Sequence, residues 1–280
     1  MERLKFLLGI IMMSYAAQLE SNAIIFDLNG VLLDKNSLKV AYYLHAGDLL
    51  SYAISSSSRH LDLEKRCKEF LGFLAEKEQP DQTKRKVLLP GEQALPGIMQ
   101  GWLKGERTTK ELIDGMSAFI HEHTGFFVSP TEKKLIHAIT SLVDPTVFSS
   151  VMAPVPAMMK VVQECKRQTD QQGNPKHQLF ILSNWDKESF DLIKKQFASL
   201  FEHFDEKNII ISGQIGMMKP DREIFEYIIK KYNLDPTKCI LIDDQPENIA
   251  GAISHGIAGI HHKKPAETRK ALISHGVIIK

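Results

Sequence analysis

Two hydrophobic regimes divide the chain. From Ala23 to Leu33, and again from Gln178 to Ile260, apolar residues come in short continuous runs that end in polar residues or glycine. Such runs predict buried parallel strands rather than half-exposed ones. The first, Ala23-Ile24-Ile25-Phe26, ends in Asp27-Leu28-Asn29-Gly30. Gln178–Leu182 ends in Ser183-Asn184, Ile209–Ile211 in Ser212-Gly213, and Cys239–Ile242 in Asp243-Asp244, while Ile257–Ile260 gives a last short strand. Helical patterns separate them: Pro156 through Cys165, a segment through Phe190 and Phe197, Asp221–Tyr232 and Glu247–His255. Alternating strand and helix predicts an α/β fold with a parallel sheet. Ligands of such sheets bind beyond the carboxyl ends of the strands, so these four polar strand ends should converge on one edge.

Residues 37–154 follow another rule. Residues 38–54 and 61–77 carry apolar side chains three and four apart, which predicts helices. Glu76–Lys86 is charged and loose, and Pro90-Gly91 and Pro96-Gly97 interrupt regular structure. Thr108-Thr109-Lys110-Glu111 and Ser129-Pro130-Thr131-Glu132 both have the capping-box form. The resulting division is an N-terminal segment (1–22), an α/β core (23–36 and 155–280) and an inserted helical cap (37–154).

Composition changes this picture little. The 280 residues are 43% hydrophobic and 25% charged, ordinary for a globular protein. Thirty-five basic against 34 acidic residues leave no basic excess, which disfavours nucleic acid as a partner. Cys67, Cys165 and Cys239 are scattered and imply neither a metal site nor a disulfide framework. At the N-terminus, Arg3 and Lys5 precede the apolar run Phe6–Met13, and Ser14-Tyr15-Ala16 follows. That order matches a secretory signal peptide and predicts export, periplasmic or secreted; the alternative is an N-terminal extension on a cytoplasmic protein. The run falls short of the about 20 residues that span a bilayer, so no stable membrane span is expected.

At four places the chain resembles the haloacid dehalogenase superfamily of phosphatases. Phe26-Asp27-Leu28-Asn29-Gly30-Val31 is similar to its first motif, usually DxDGT or DxDGV, and Leu182-Ser183-Asn184 to its second. Ser212 through Asp221, including Lys219, resembles the third, and Ile242-Asp243-Asp244-Gln245-Pro246-Glu247-Asn248 the fourth. More thinly, Trp102-Leu103-Lys104-Gly105 with Thr108–Glu111 resembles the subgroup with a helical cap after the first motif, which includes sugar-phosphate phosphatases and the phosphatase domain joined to epoxide hydrolase. The resemblance implies a Rossmann-like core of five or six strands, a helical cap, and Mg²⁺-dependent phosphoryl transfer from a small phosphorylated substrate. It makes Asp27 the nucleophile. Asp27, the backbone carbonyl of Asn29 and Asp244 become Mg²⁺ ligands, with Asp243 an orienting group behind them. Ser183, Asn184 and Lys219 become the phosphate-binding set. These types suit the chemistry: a carboxylate can form an aspartyl-phosphate, and attack by one anion on another needs a cation and fixed donors. Oxygen ligands suit Mg²⁺.

Position 29 departs from the pattern. The family's phosphatases usually carry there a second aspartate that protonates the leaving oxygen and then activates water. Asparagine cannot shuttle a proton, and losing general acid–base help costs roughly 10²–10⁴-fold. The expectation is a slow or selective phosphatase, best with good leaving groups such as aryl phosphates. The alternatives are a phosphate-binding pseudo-enzyme and a dehalogenase-like hydrolase, the latter opposed by the Asp243-Asp244 pair. Asn29-Gly30 is also a dipeptide open to deamidation. Most other candidates read as structural: His121 and His123 point to different helix faces, His261-His262 is a solvated strand exit, and Trp102 is a core residue, while Trp185, directly after Asn184, reads as either a core residue or a flank of the pocket.

Overall fold

The computed structural model describes residues 23–44, 63–78, 88–89 and 93–278. The segment expected as a signal peptide (1–22), most of the expected 38–54 helix and most of Glu76–Lys86 lie outside the described residues.

Nine strands occur among them: β1 (Ala23–Phe26), β2 (Leu33–Lys35), β3 (Leu88–Leu89), β4 (Gln93–Ala94), β5 (Met152–Pro154), β6 (Gln178–Ser183), β7 (Ile209–Ile211), β8 (Cys239–Asp243) and β9 (Ala258–His261). Five form one parallel sheet in the order β7-β6-β1-β8-β9. The chain builds outward from β1 through β6 to β7, then crosses to β8 on the other side of β1. That reversal places the ends of β1, β6 and β8 side by side at the topological switch, where α/β sheets bind ligands. The α/β class and Rossmann-like core expected from the pattern are present.

The continuous apolar runs are explained by helices on both faces. Ile24 and Phe26 point to the layer containing Met158, Val161, Val162 and Cys165 of helix Pro156–Lys166. Ala23 and Ile25 point to the opposite layer, with Ile224, Phe225 and Ile228 of helix Arg222–Tyr232 and Ala252 of helix Pro246–Ile253. All four β1 side chains are fully buried. A buried Ile or Phe contributes roughly 1.5–3 kcal/mol, so the middle strands can offset the cost of burying charged groups at their ends.

Between β2 and β5 lie helices Ser37–Tyr43, Leu63–Lys77, Gly97–Leu103, Thr109–Glu122, Pro130–Thr140 and Pro145–Val151, with the β3–β4 hairpin among them. Phe70, Leu74, Trp102, Leu112, Met116, Ile120 and Ile136 give this segment its own core. Its two ends meet in an antiparallel ribbon, Leu33 opposite Pro154 and Lys35 opposite Met152. Strands of three residues carry no periodic signal, and the ribbon is absent from the sequence expectation. So is the last helix, Pro265–Ser274, which places Leu272 in the core.

Thr108 forms the reciprocal capping box with Glu111. At Ser129 only half of the box forms. Ser129 Oγ accepts from Glu132 N, but the Glu132 carboxylate turns to Val128 N (2.6 Å) and Arg66 Nε (2.5 Å). Glu132 is completely buried, and the Arg66 guanidinium supplies the countercharge that its backbone partner could not.

Candidate active site

At the end of β1 the ladder continues one step, Asp27 N donating to Ile242 O (2.9 Å), and the Asp27 carboxylate then accepts from Leu28 N (2.7 Å). The chain turns back sharply, with Leu32 N and Leu33 N both donating to Leu28 O and Gly30 N to Leu33 O (2.8 Å). Gly30 makes this turn with φ +76°. A β-carbon there would lie 2.4 Å from Asp244 Oδ2, so the position needs glycine both for its backbone and for its close approach to a carboxylate. Asn29, partly exposed between the two, makes no side-chain hydrogen bond among the described residues. Deamidation would require Gly30 N to attack the Asn29 side chain, and that N–H is committed to Leu33 O.

The end of β8 adds two carboxylates. Asp243 is fully buried and held on every side: Oδ1 accepts from Gln245 N (2.9 Å) and Asn248 Nδ2 (3.0 Å), and Oδ2 from Lys219 Nζ (2.5 Å) and Asn248 Nδ2 (3.1 Å). Asp244 is half-buried, and its Oδ1 is buried with no hydrogen-bond partner among the described residues. Asp27, Asp243 and Asp244 bring one oxygen each within 4.8 Å of one another. Lys219, fully buried, bridges Asp243 and Asp27 (3.0 Å to Oδ1).

Charge balance follows from this geometry. Burial, with Asp243 and Asp244 nearby, pushes the Asp27 carboxyl up to about 7 against the pull of Lys219. Burial and then Asp243 raise Asp244 as well. Burial pulls Lys219 down, but Asp243 and Asp27 together outweigh it and hold the ammonium above its ordinary range. With all three carboxylates ionised, one ammonium leaves two negative charges uncompensated. Oxygen donors, a carboxylate oxygen without a partner and an excess of two negative charges fit a hard divalent cation such as Mg²⁺.

Ser183 and Asn184 stand at the end of β6. Ser183 is buried, and its Oγ has no hydrogen-bond partner within 3.5 Å among the described residues, although it lies near enough to Asp27 to favour the ionised carboxylate. An orphaned buried hydroxyl is costly unless a ligand completes it. Asn184, expected to donate to phosphoryl oxygens, directs its amide elsewhere: Nδ2 donates to Lys219 O (2.7 Å) and Oδ1 accepts from Lys219 N (2.8 Å).

Ser212, the fourth polar strand end, reaches the same edge but serves as a brace. Its Oγ accepts from Trp185 N (2.9 Å) and donates to Leu103 O (2.6 Å) on the inserted segment. Beside it Lys104 Nζ pairs with Asp221 Oδ2 (3.0 Å), and Gly105 (φ +71°) packs against Gly213, whose carbonyl oxygen a β-carbon at 105 would meet at 2.4 Å. Asn248, at the end of the fourth motif, is buried and donates Nδ2 to both oxygens of Asp243. His262, expected in solvent, turns inward to Thr268 Oγ1 (2.7 Å), while His261 Nε2 donates to Asp244 O (3.0 Å). Trp102 and Trp185 are buried. His123 stacks on Phe119, and among the described residues no metal-binding group includes it or His121.

The parallel sheet thus gathers a buried lysine and three carboxylates at its switch point, a set of groups suited to an anionic ligand with a divalent cation. The family described as haloacid dehalogenase-like hydrolase matches residues 22–256, and the chain belongs to it. Among curated relatives, it is 27% identical over 94 residues to bifunctional epoxide hydrolase 2 of Rattus norvegicus, covering 33% of this chain and 17% of that one. It is 36% identical over 53 residues to the sesquiterpene phosphatase astK of Aspergillus oryzae, covering 19% and 27%. The chain thus spans under a third of the length of either relative. Among solved structures, a haloacid dehalogenase family enzyme of Bacteroides thetaiotaomicron aligns at TM-score 0.52 and 18% identity, covering 87% of this chain and 94% of that one. A family hydrolase of Deinococcus radiodurans R1 with bound phosphate and sodium aligns at TM-score 0.50 and 16% identity, covering 92% and 98%.

Proposed function

We propose that the protein is a Mg²⁺-dependent phosphoric monoester hydrolase acting on a small phosphate ester, a sugar or aryl phosphate, through an aspartyl-phosphate. The observation that carries this reading is Lys219 held between Asp27 and Asp243 beside a buried hydroxyl, Ser183 Oγ, that has no partner. Asp27 is the nucleophile: its carboxylate oxygen forms a bond to phosphorus as the ester oxygen leaves, and water then cleaves the acyl phosphate. Lys219 and Ser183 bind the phosphoryl oxygens and hold them in line with Asp27. Asp27, the Asn29 carbonyl and Asp244 would hold Mg²⁺, which when bound supplies the positive charge that lets two anions approach. Asp243, fixed by Gln245 N and Asn248, orients the lysine and the site around it. The phosphatase activity named for the Aspergillus relative, and the phosphate bound in the Deinococcus hydrolase, agree with this assignment.

Asn29 makes the reaction slow or selective, because it can neither give a proton to the leaving oxygen nor take one from water. The same residue favours a second reading, a phosphate-binding pseudo-phosphatase that acts by recognition. In either case the helical segment 37–154 serves as the cap over the site, and the basic, apolar and small-residue order of residues 3–16 supports export. Hydrolysis of 4-nitrophenyl phosphate with Mg²⁺ separates the readings. A rate for the native protein well above that of Asp27→Asn supports the enzyme; equal rates leave recognition.

A further inference from the structure

Lys219 lies in the loop between the short helix Ser212–Ile215 and helix Arg222–Tyr232, outside any strand. A buried residue there must still satisfy its backbone N–H and C=O. Both are taken by one side chain. The Asn184 amide donates to Lys219 O and accepts from Lys219 N, at 2.7 and 2.8 Å. Only one orientation of the amide meets both partners, so its oxygen and nitrogen are fixed by the pairing. Asn184 acts on Lys219 as a neighbouring strand would, at a single residue. The next residue pins the start of the short helix that leads into this loop, Trp185 N donating to Ser212 Oγ (2.9 Å) and Trp185 O accepting from Gly213 N (3.0 Å). Residues 184–185 therefore hold the segment at the start of helix Ser212–Ile215 and at the lysine.

We infer that Asn184 is a positioning residue. It sets the backbone of Lys219 so that the ammonium reaches Asp27 and Asp243 together, and its contribution to phosphate binding passes through that lysine. The kinetic meaning of this rests on the phosphatase reading; the placement of Lys219 does not.

The test has two arms, using the full chain as native protein, Asn184→Ala, Lys219→Met and the double variant. In the first, hydrogen exchange of the Lys219 amide is followed by mass spectrometry without metal or phosphate. Asn184→Ala should expose that amide while β1 amides keep their protection. Where Asn184→Ala does not fold, Asn184→Ser removes the same pairing in a small polar side chain. Unchanged exchange at Lys219 in folded Asn184→Ala or Asn184→Ser overturns the inference. In the second arm, inorganic phosphate is titrated with Mg²⁺ present. Losing the pairing should weaken phosphate about tenfold with Lys219 present, the size of one or two hydrogen bonds, and have almost no effect in Lys219→Met. An equal loss in both backgrounds makes Asn184 a direct phosphate ligand and overturns the inference. If the native protein binds no phosphate, the phosphatase reading falls, and the exchange arm alone decides the role of Asn184.

Discussion

Gly30 and Asp244 approach so closely that a β-carbon on the glycine would stand 2.4 Å from Asp244 Oδ2. The turn after β1 and the carboxylates after β8 are thus one construction, since the φ of +76° that reverses the chain also brings its backbone against Asp244. Gly30→Ala should cost roughly 1–2 kcal/mol from the left-handed backbone alone and displace Asp244 as well. Thermal unfolding with and without Mg²⁺ checks this. Both the stability and the stabilisation by Mg²⁺ should fall, whereas loss of stability alone would separate Gly30 from the metal site.

Burial holds the Asp27 carboxyl at about 7, above its ordinary 3.8. Between those values the folded protein binds more protons than the unfolded chain, so without metal its stability should fall as pH rises from about 4 to about 7. Asp27→Asn removes this slope, and Mg²⁺ should reduce it in the native protein. Denaturant melts across that range measure it. A native slope equal to that of Asp27→Asn would show that Asp27 ionises without penalty.

Lys219 is the charge partner of two buried carboxylates. Lys219→Met should destabilise the metal-free protein by about 3–5 kcal/mol, the cost of stranding buried charge. The loss should shrink at low pH, where Asp27 is neutral. A pH-independent loss measured by chemical denaturation would assign the effect to packing alone.

Asn29→Asp restores a proton carrier where the reaction needs one. It should raise turnover of alkyl phosphates by roughly 10²–10⁴-fold, with a smaller gain on 4-nitrophenyl phosphate, whose leaving group needs little protonation. Comparing kcat/KM on the two substrates measures the difference. Equal gains would show that protonation of the leaving oxygen is not what Asn29 lacks.

The strands of the sheet and the convergence of Asp27, Ser183, Asp243 and Asp244 were legible because buried parallel strands are continuous apolar runs, and their polar ends stand out. The β2–β5 ribbon was not, since three residues such as Leu33-Asp34-Lys35 hold no period. The pairing of Asn184 with Lys219 was not legible for a related reason. Asparagine as a residue type suits a phosphate ligand, and nothing near Asn184 in the chain reveals that both its polar groups meet a backbone 35 residues away. Ser212 likewise looks like a site residue at a strand end, and its use depends on Leu103, 109 residues earlier. Composition indicates what a side chain can bond to; the topology decides what is there.

The central claim is that Asp27 attacks phosphorus and that Asn29 leaves the product of that attack slow to hydrolyse. Incubation with 4-nitrophenyl phosphate and Mg²⁺, followed by borohydride reduction and peptide mass spectrometry, tests it directly. The account predicts a burst of 4-nitrophenol, reduction of residue 27 to homoserine, and loss of that signal in both Asp27→Asn and Asn29→Asp. Product release without any modification at residue 27, at a rate that Asp27→Asn leaves unchanged, would contradict it.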